Sequence, residues 1–324
     1  MKYNFKYRIT SCNLFYELLP FSNNSSFIVQ ITQNKNMILV TGANGQVGQE
    51  LRFLATQFTN FEFIFTGSKE LNITNESAIQ KIFEQYNFDY CINCAAYTAV
   101  DKAEEAEDLA RLVNATSINY LAKACKQYNT QLIHISTDYV YHSETINRPY
   151  REDDVTNPQG VYGATKLEGD LIATQTLNNA IVLRTSWVYS SFGNNFVKTM
   201  IRLGRKLDNL RVIYDQIGTP TYARDLAYAI LKIVERIENK EVENYGGIYH
   251  FSNEGITSWY DFALAIFEIK NIEINVAPIE TKDYPTPAKR PHFSVMNKEK
   301  VRSTFDLTIP HWRTALIDCL SLLD

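Results

Sequence analysis

The sequence predicts an α/β fold: a Rossmann-type, doubly wound parallel sheet with a smaller C-terminal substrate-binding lobe. Three observations predict it. An apolar run at Met37–Thr41 leads directly into a glycine-rich turn and then into a helical period. Strand-like apolar runs then alternate with helical runs, the pattern of a parallel sheet covered on both faces. The 324 residues are enough for two domains.

Taken in order, residues 1–36 fit none of this. They carry four basic residues and one acid and show no clear period. Asn13, Glu17 and Pro20 interrupt any apolar stretch long enough for a secretory signal. A flexible tail, a docking arm and residues upstream of the true start are the open readings. The last is favoured, because a buried first strand opens so soon after Met37.

Met37–Thr41 reads as a strand buried on both faces. Gly42, Gly45 and Gly48 form a G-x-x-G-x-x-G, and Gln49–Phe58 has helical spacing. The order strand, glycine turn, helix is that of a dinucleotide site. Gly42 allows the tight turn, Gly45 lets backbone approach a pyrophosphate, and Gly48 lets helix pack on strand. The helix N-terminus supplies N–H donors and a positive dipole end. The second strand, Glu62–Thr66, should end over the adenine ribose. An acid there would bind the 2′-hydroxyl of NAD. The sequence has Gly67-Ser68-Lys69 instead, and a hydroxyl with a cation suits a 2′-phosphate. The expected cofactor is therefore NADPH, with NADH left open.

Phe88–Ala95 and Gln131–Ser136 read as further strands, separated by one long helix over Ala106–Tyr128. Ligands of such sheets sit at the carboxyl ends of the strands. Ala96, Tyr97 and Thr98 lie at one such end, where small residues let a cofactor near the backbone. Ser136-Thr137-Asp138 lie at the next. Tyr162 and Lys166 then share a helix face, being four residues apart. A cation near the phenol favours phenolate and lowers a pKa that is ordinarily about 10. Tyr162 becomes a usable proton donor, and the hydroxyl of Thr137 can bond a carbonyl oxygen as charge builds on it.

Composition excludes other classes. The net charge of −4 provides no basic footprint for nucleic acid. No stretch approaches 18 uncharged apolar residues, so no membrane span is expected. Five cysteines, an odd number, do not make a disulfide framework and point to a reducing, cytoplasmic setting. Cys91 and Cys94 form a C-x-x-C, but within an apolar run where thiols behave as small hydrophobes.

The glycine motif, the S-T-D at a strand end and the Y-x-x-x-K together resemble the extended short-chain dehydrogenase/reductases. Further segments narrow the match: AAYTAVDKAE at Ala95–Glu104, STDYVY at Ser136–Tyr141, VYGATK at Val161–Lys166 and RTSWVY at Arg184–Tyr189. Downstream are DQIGTPTYA at Asp215–Ala223, YPTPAKRP at Tyr284–Pro291 and FSVMNK at Phe293–Lys298. From Met37 to about Leu323 the chain is similar to the dTDP-4-dehydrorhamnose reductase family.

That resemblance implies reduction of the C4 keto group of a nucleotide sugar, dTDP-4-dehydro-β-L-rhamnose, in dTDP-rhamnose biosynthesis. Tyr162 would give the proton to the C4 oxygen. Lys166 would lower the pKa of Tyr162 and hold the nicotinamide ribose, and Thr137 would bond the carbonyl. Gly42, Gly45, Gln46, Val47 and Gly48 would cradle the pyrophosphate, and Ala96, Tyr97 and Thr98 would flank the cofactor. Asn72 and Ile73 match the family's adenine-side pair, with Asn in place of an acid. Asp138 and Trp187 match substrate-contacting positions.

Some members are magnesium-linked dimers, and Glu50 matches one of their carboxylates. The apolar tail Leu316–Leu323 lacks another, which argues against Mg2+; no metal site is assigned. Glu50 is expected to be a solvated acid in the first helical turn. Monomer and homodimer both remain open. The rival functions are a reductase or epimerase of another nucleotide keto sugar, and a non-catalytic NADP-binding regulatory subunit. The intact Thr137, Tyr162 and Lys166 favour catalysis. The expected division is an N-terminal extension over 1–36, an NADP-binding domain over 37–189 with returning elements at about 223–252, and a lobe from 190–222 and 253–324.

Overall fold

The computed structural model describes residues 35–323, so the expectation for residues 1–34 lies outside it. Strand β1 is Asn36–Thr41, one residue longer at its start than the sequence implies. Helix α1 (Gln46–Leu54) leads to β2 (Phe61–Thr66), and α2 (Glu76–Gln85) to β3 (Tyr90–Asn93). Then come β4 (Gln131–Thr137) and β5 (Ile181–Thr185). The strand Gly247–His250 returns to pair in parallel with β5. The sheet order is Gly247–His250, β5, β4, β3, β1, β2. All neighbours are parallel. The order reverses between β1 and β3, the switch point at whose carboxyl ends sheets of this kind take their ligands.

Alternation along each strand builds two cores. Ile38, Val40, Ile92, Ile133 and Leu183 face α1 and the helix Ala223–Glu238. Leu39, Cys91, Leu132 and Val182 face α2 and the helix Ser117–Gln127. Every one of these strand residues is fully buried. Each is worth about 1.5–3 kcal/mol relative to exposure if it is Val, Leu or Ile. Both sheet faces are thus apolar, which explains the continuous rather than alternating hydrophobic strands.

A third core forms the lobe. Helices Phe196–Gly204, Trp259–Ile269 and Trp312–Leu320 bury Val197, Phe262, Ile266 and Leu316 together. A parallel strand pair, Asn209–Ile213 with Asn275–Ile279, lies beside them. The apolar tail noted in the sequence therefore begins as the end of a helix, with Leu316, Cys319 and Leu320 in this core. Among the described residues no helix is long and apolar enough to cross a membrane.

Three elements differ from the sequence reading. Helix α1 begins at Gln46, not Gln49, because extended Gly45 acts directly as its N-cap, and it gives way to a 3-10 turn at Ala55–Gln57. The third strand stops at Asn93 rather than Ala95. Beyond it the Ala95 N–H turns back onto the Asn93 side chain. The long helix at 106–128 is interrupted by a π turn at Leu112–Thr116, between Glu107–Arg111 and Ser117–Gln127. That wider turn holds Asn114, whose carboxamide accepts from Tyr97 N at 2.8 Å and donates to Tyr97 O at 3.1 Å.

Candidate active site

The glycine turn is shaped by contact as well as by torsion. Gly42 has φ +65°, and a Cβ there would lie 2.5 Å from Ala95 N. A Cβ on Gly48 would lie 2.5 Å from the Ala43 Cα. Both therefore permit close approach of backbone. At Gly45 a Cβ would meet only Gly42 O, at 3.3 Å, so the space beyond is open. No side chain caps the start of α1. Open space in front of uncapped helix N–H groups fits a pyrophosphate.

Gln46 and Val47 contribute differently from the glycines. Gln46 Oε1 accepts from Asn195 Nδ2 at 2.8 Å, which ties the turn to the lobe. Val47 packs on the sheet core. The segment Ala96-Tyr97-Thr98 runs across the carboxyl end of the sheet, fastened at Tyr97 by Asn114. After β2, Ser68 and Lys69 are exposed, and Glu70 is spent on the Gly67 N–H at 2.8 Å. Asn72 is exposed, its carboxamide oxygen accepting from Thr74 N at 3.1 Å, whereas Ile73 is buried in the core.

Thr137, Asp138, Tyr162 and Lys166 come together where β4 ends. The helix Val161–Thr176 delivers the last two. Thr137 accepts from Tyr139 N at 3.2 Å and donates to Asp138 Oδ1 at 3.1 Å. The rings of Tyr139 and Tyr162 meet edge to face at 5.4 Å. Burial pushes the Asp138 carboxyl up to about 6, against hydrogen bonds from Ser294 and Thr137.

The electrostatics of the Tyr–Lys pair correct the sequence expectation. Burial pushes the Tyr162 phenol up to about 12, with Thr137 opposing and Asp138 and Asp170 adding to the rise. Lys166 is not what lowers it. Lys166 is 1% exposed, and its Nζ donates to Ile135 O at 2.7 Å. The carbonyl has captured the ammonium, and burial lowers Lys166 to about 8.

Sequence reasoning missed the layer behind these residues. Asp170, one turn beyond Lys166, pairs with Arg184 Nε at 3.0 Å, and both are essentially unexposed. Arg184 Nη1 donates to the Tyr141 hydroxyl at 2.6 Å, and that oxygen lies 2.8 Å from His250 Nε2. The repeat Tyr162, Lys166, Asp170 at every fourth residue was the available signal. Across the cleft, Arg290 of the lobe pairs with Asp101 at 2.7 Å, joining the YPTPAKRP segment to the loop after β3.

Glu50 is a second correction. It is not a solvated first-turn acid: it is fully buried, with Ser190 Oγ donating at 2.6 Å and Arg224 Nε at 2.7 Å. Because α1 begins at Gln46, Glu50 falls in its second turn, on the face that meets the lobe. A hard cation needs several oxygen ligands. This carboxylate already faces a guanidinium, and no cluster of three or more His, Cys, Asp or Glu suited to a metal is found among the described residues.

Trp187 is two residues past β5, with φ +47°. Its ring stacks on Trp259 at 3.6 Å between centroids and leans on Gly218, where a Cβ would come within 2.7 Å. The lobe thus holds the indole in a fixed plane. Cys91, Cys125 and Cys319 are buried and Cys94 is partly so; all four are free thiols.

The family model described as the RmlD substrate binding domain matches residues 36–324. A dTDP-4-dehydrorhamnose reductase of Aggregatibacter actinomycetemcomitans is 41% identical over 286 residues, covering 86% of this chain and 96% of that protein. The crystal structure of a dTDP-4-dehydrorhamnose reductase from Clostridium acetobutylicum superposes with a TM-score of 0.83 at 42% identity, covering 89% of this chain and 99% of the other. A Bacillus anthracis dTDP-4-dehydrorhamnose reductase, solved in complex with NADP, gives a TM-score of 0.84 at 36% identity with the same coverage. With its glycine turn, its Thr–Tyr–Lys cluster and these likenesses along almost its whole described length, the chain belongs to the dTDP-4-dehydrorhamnose reductase family.

Proposed function

We propose that this protein reduces the C4 keto group of dTDP-4-dehydro-β-L-rhamnose with NADPH, giving dTDP-β-L-rhamnose. The observation that carries the reading is the convergence of Thr137, Tyr162 and Lys166 at the carboxyl end of β4, beside the glycine turn. A nucleotide-binding subunit without catalysis would not need these three together.

The nicotinamide cofactor, when bound, supplies the hydride. The residues do the rest. Thr137 turns its single O–H from Asp138 Oδ1 to the sugar's C4 oxygen when the substrate is bound, and so favours the charge that develops there. Tyr162, whose phenol is protonated well above neutral pH, gives its proton to that oxygen. Lys166 holds the ribose hydroxyls with the donors that the Ile135 carbonyl leaves free. Asp138 and Trp187 contact the nucleotide sugar, Trp187 through its fixed ring face. Gly42, Gly45 and Gly48, with the first N–H groups of α1, hold the pyrophosphate, and Asn72 and Ile73 lie on the adenine side. Ser68 and Lys69, both exposed just after β2, take the 2′-phosphate.

The test is NADPH oxidation with enzymatically prepared dTDP-4-dehydrorhamnose, run beside the UDP analogue. Turnover of the dTDP sugar is expected. Turnover of the UDP sugar alone would reassign the substrate. No turnover of either would favour a binding subunit.

A further inference from the structure

Three polar residues, Thr41, Asn93 and His134, lie side by side on β1, β3 and β4, in register across the sheet. All three are buried. Asn93 Oδ1 accepts from Thr41 Oγ1 at 2.5 Å and from Ala95 N at 3.2 Å. A backbone N–H can only donate, so Ala95 decides which end of the carboxamide faces it. The amide nitrogen of Asn93 is therefore turned to His134 Nδ1, at 2.9 Å. An NH2 group donates, so Nδ1 accepts, and the neutral ring carries its proton on Nε2. That assignment follows from the network of donors and acceptors. Nε2 lies 3.3 Å from Lys166 Nζ.

We infer that His134 is a positioning residue for Lys166, locked by Asn93 as the Nε2–H tautomer so that a ring N–H faces the lysine nitrogen. The inference rests on the role proposed above for Lys166. An ammonium has three donors and no acceptor, so an N–H facing it is unfavourable; an amine has a lone pair that accepts the same N–H.

The other groups around Nζ set the balance. From β4, the Ile135 carbonyl favours the ammonium. From the segment after β3, Cys94 faces it. From its own helix, Asp170 favours the ammonium but is itself engaged by Arg184 of β5, and Tyr162 lies one turn before. Burial and the Lys166 charge hold His134 well below the usual imidazole range, so the ring stays neutral. The Tyr162 phenolate must regain a proton after each turnover; where Lys166 supplies it through the ribose hydroxyls it holds, the phenol is restored and the ammonium becomes an amine. His134 Nε2–H then donates to the lone pair so formed.

The test begins with the tautomer itself. In full-length protein labelled with [15N]histidine, long-range 1H–15N correlation separates the two ring nitrogens, and His134→Gln identifies the signals. From about pH 5 to about pH 8, Nδ1 is expected unprotonated and Nε2 protonated. An Nδ1–H ring or an imidazolium in that range would overturn the inference. In Asn93→Ala the ring is free to become Nδ1–H and accept from the ammonium. The basic limb of kcat/KM should then move up by about one pH unit. A released tautomer with an unmoved limb would also overturn it. If Asn93→Ala does not fold, the measurement on the unaltered protein decides. If the protein shows no reductase activity, the tautomer stands or falls independently, and only the function reading fails.

Discussion

Replacing Arg184 with Met should expose how the layer behind the site is balanced. Arg184 Nε and Asp170 Oδ2 are 3.0 Å apart, at side-chain exposures of 1% and 0%. At an effective dielectric of 20, two unit charges at that separation attract by about 5 kcal/mol. Desolvation offsets much of this in the intact pair. Removing one partner forfeits the attraction and keeps the other's desolvation, so the expected loss of stability is about 3–5 kcal/mol. The Tyr141 hydroxyl also loses its 2.6 Å donor, worth about 1 kcal/mol.

The loss should depend on pH. Burial already holds Asp170 above the usual carboxylate range, and Arg184 is the strongest influence opposing it. Without Arg184 the folded-state value rises further. The folded state then binds more protons than the unfolded one, so stability falls as pH rises above about 4. Urea unfolding followed by circular dichroism at acidic and at neutral pH measures both effects. Asp170→Leu combined with Arg184→Met should recover at least half the loss, since no charge is then stranded. A loss under about 1 kcal/mol for Arg184→Met, or one independent of pH, would refute the reasoning.

Other expectations are simpler to state. Tyr162→Phe should lower kcat by about 100-fold or more while leaving the fold and NADPH binding intact, as measured by turnover, circular dichroism and fluorescence titration. Gly42→Ala forces a side chain into a left-handed turn and onto Ala95 N, so NADPH titration should show binding lost or severely weakened. Lys69→Ala should raise KM for NADPH more than KM for NADH; equal changes would remove Lys69 from the 2′-phosphate. Asp138 is raised to about 6, so its contribution to stability declines as pH climbs from about 4 through that value. Asp138→Asn should lack that decline in a pH series of urea midpoints.

Much of this architecture is written locally. The strand, glycine turn and helix at 36–54 are neighbours in sequence, and so are Tyr162 and Lys166, which makes them readable without a fold. Arg184 and His134 are not of that kind. A charged or polar residue inside an apolar strand acquires meaning only when the sheet places it beside its partner. Glu50 failed for the same reason: its partners, Ser190 and Arg224, are 140 and 174 residues away. The π turn at Leu112–Thr116 has no local signal either, since it is stabilised by the contact of Asn114 with a different loop. The pull of Lys166 on Tyr162 was a fair inference from spacing, but spacing does not show that the Ile135 carbonyl competes for the same ammonium.

Gln46 and Glu50 occupy one face of α1, a single turn apart, and both reach the lobe. The helix is thus a ruler with two fixed marks, its zero set by the glycine turn. Inserting one residue between the marks would swing Glu50 by about 100° and advance it by about 1.5 Å. Its carboxylate would leave Arg224 and point toward the packed surface that holds Leu51 and Leu54. A change in the length of α1 would break both marks at once. In this stretch the spacing of Gln46 and Glu50 is constrained as tightly as the identity of Gly48, where a Cβ would meet Ala43 Cα at 2.5 Å.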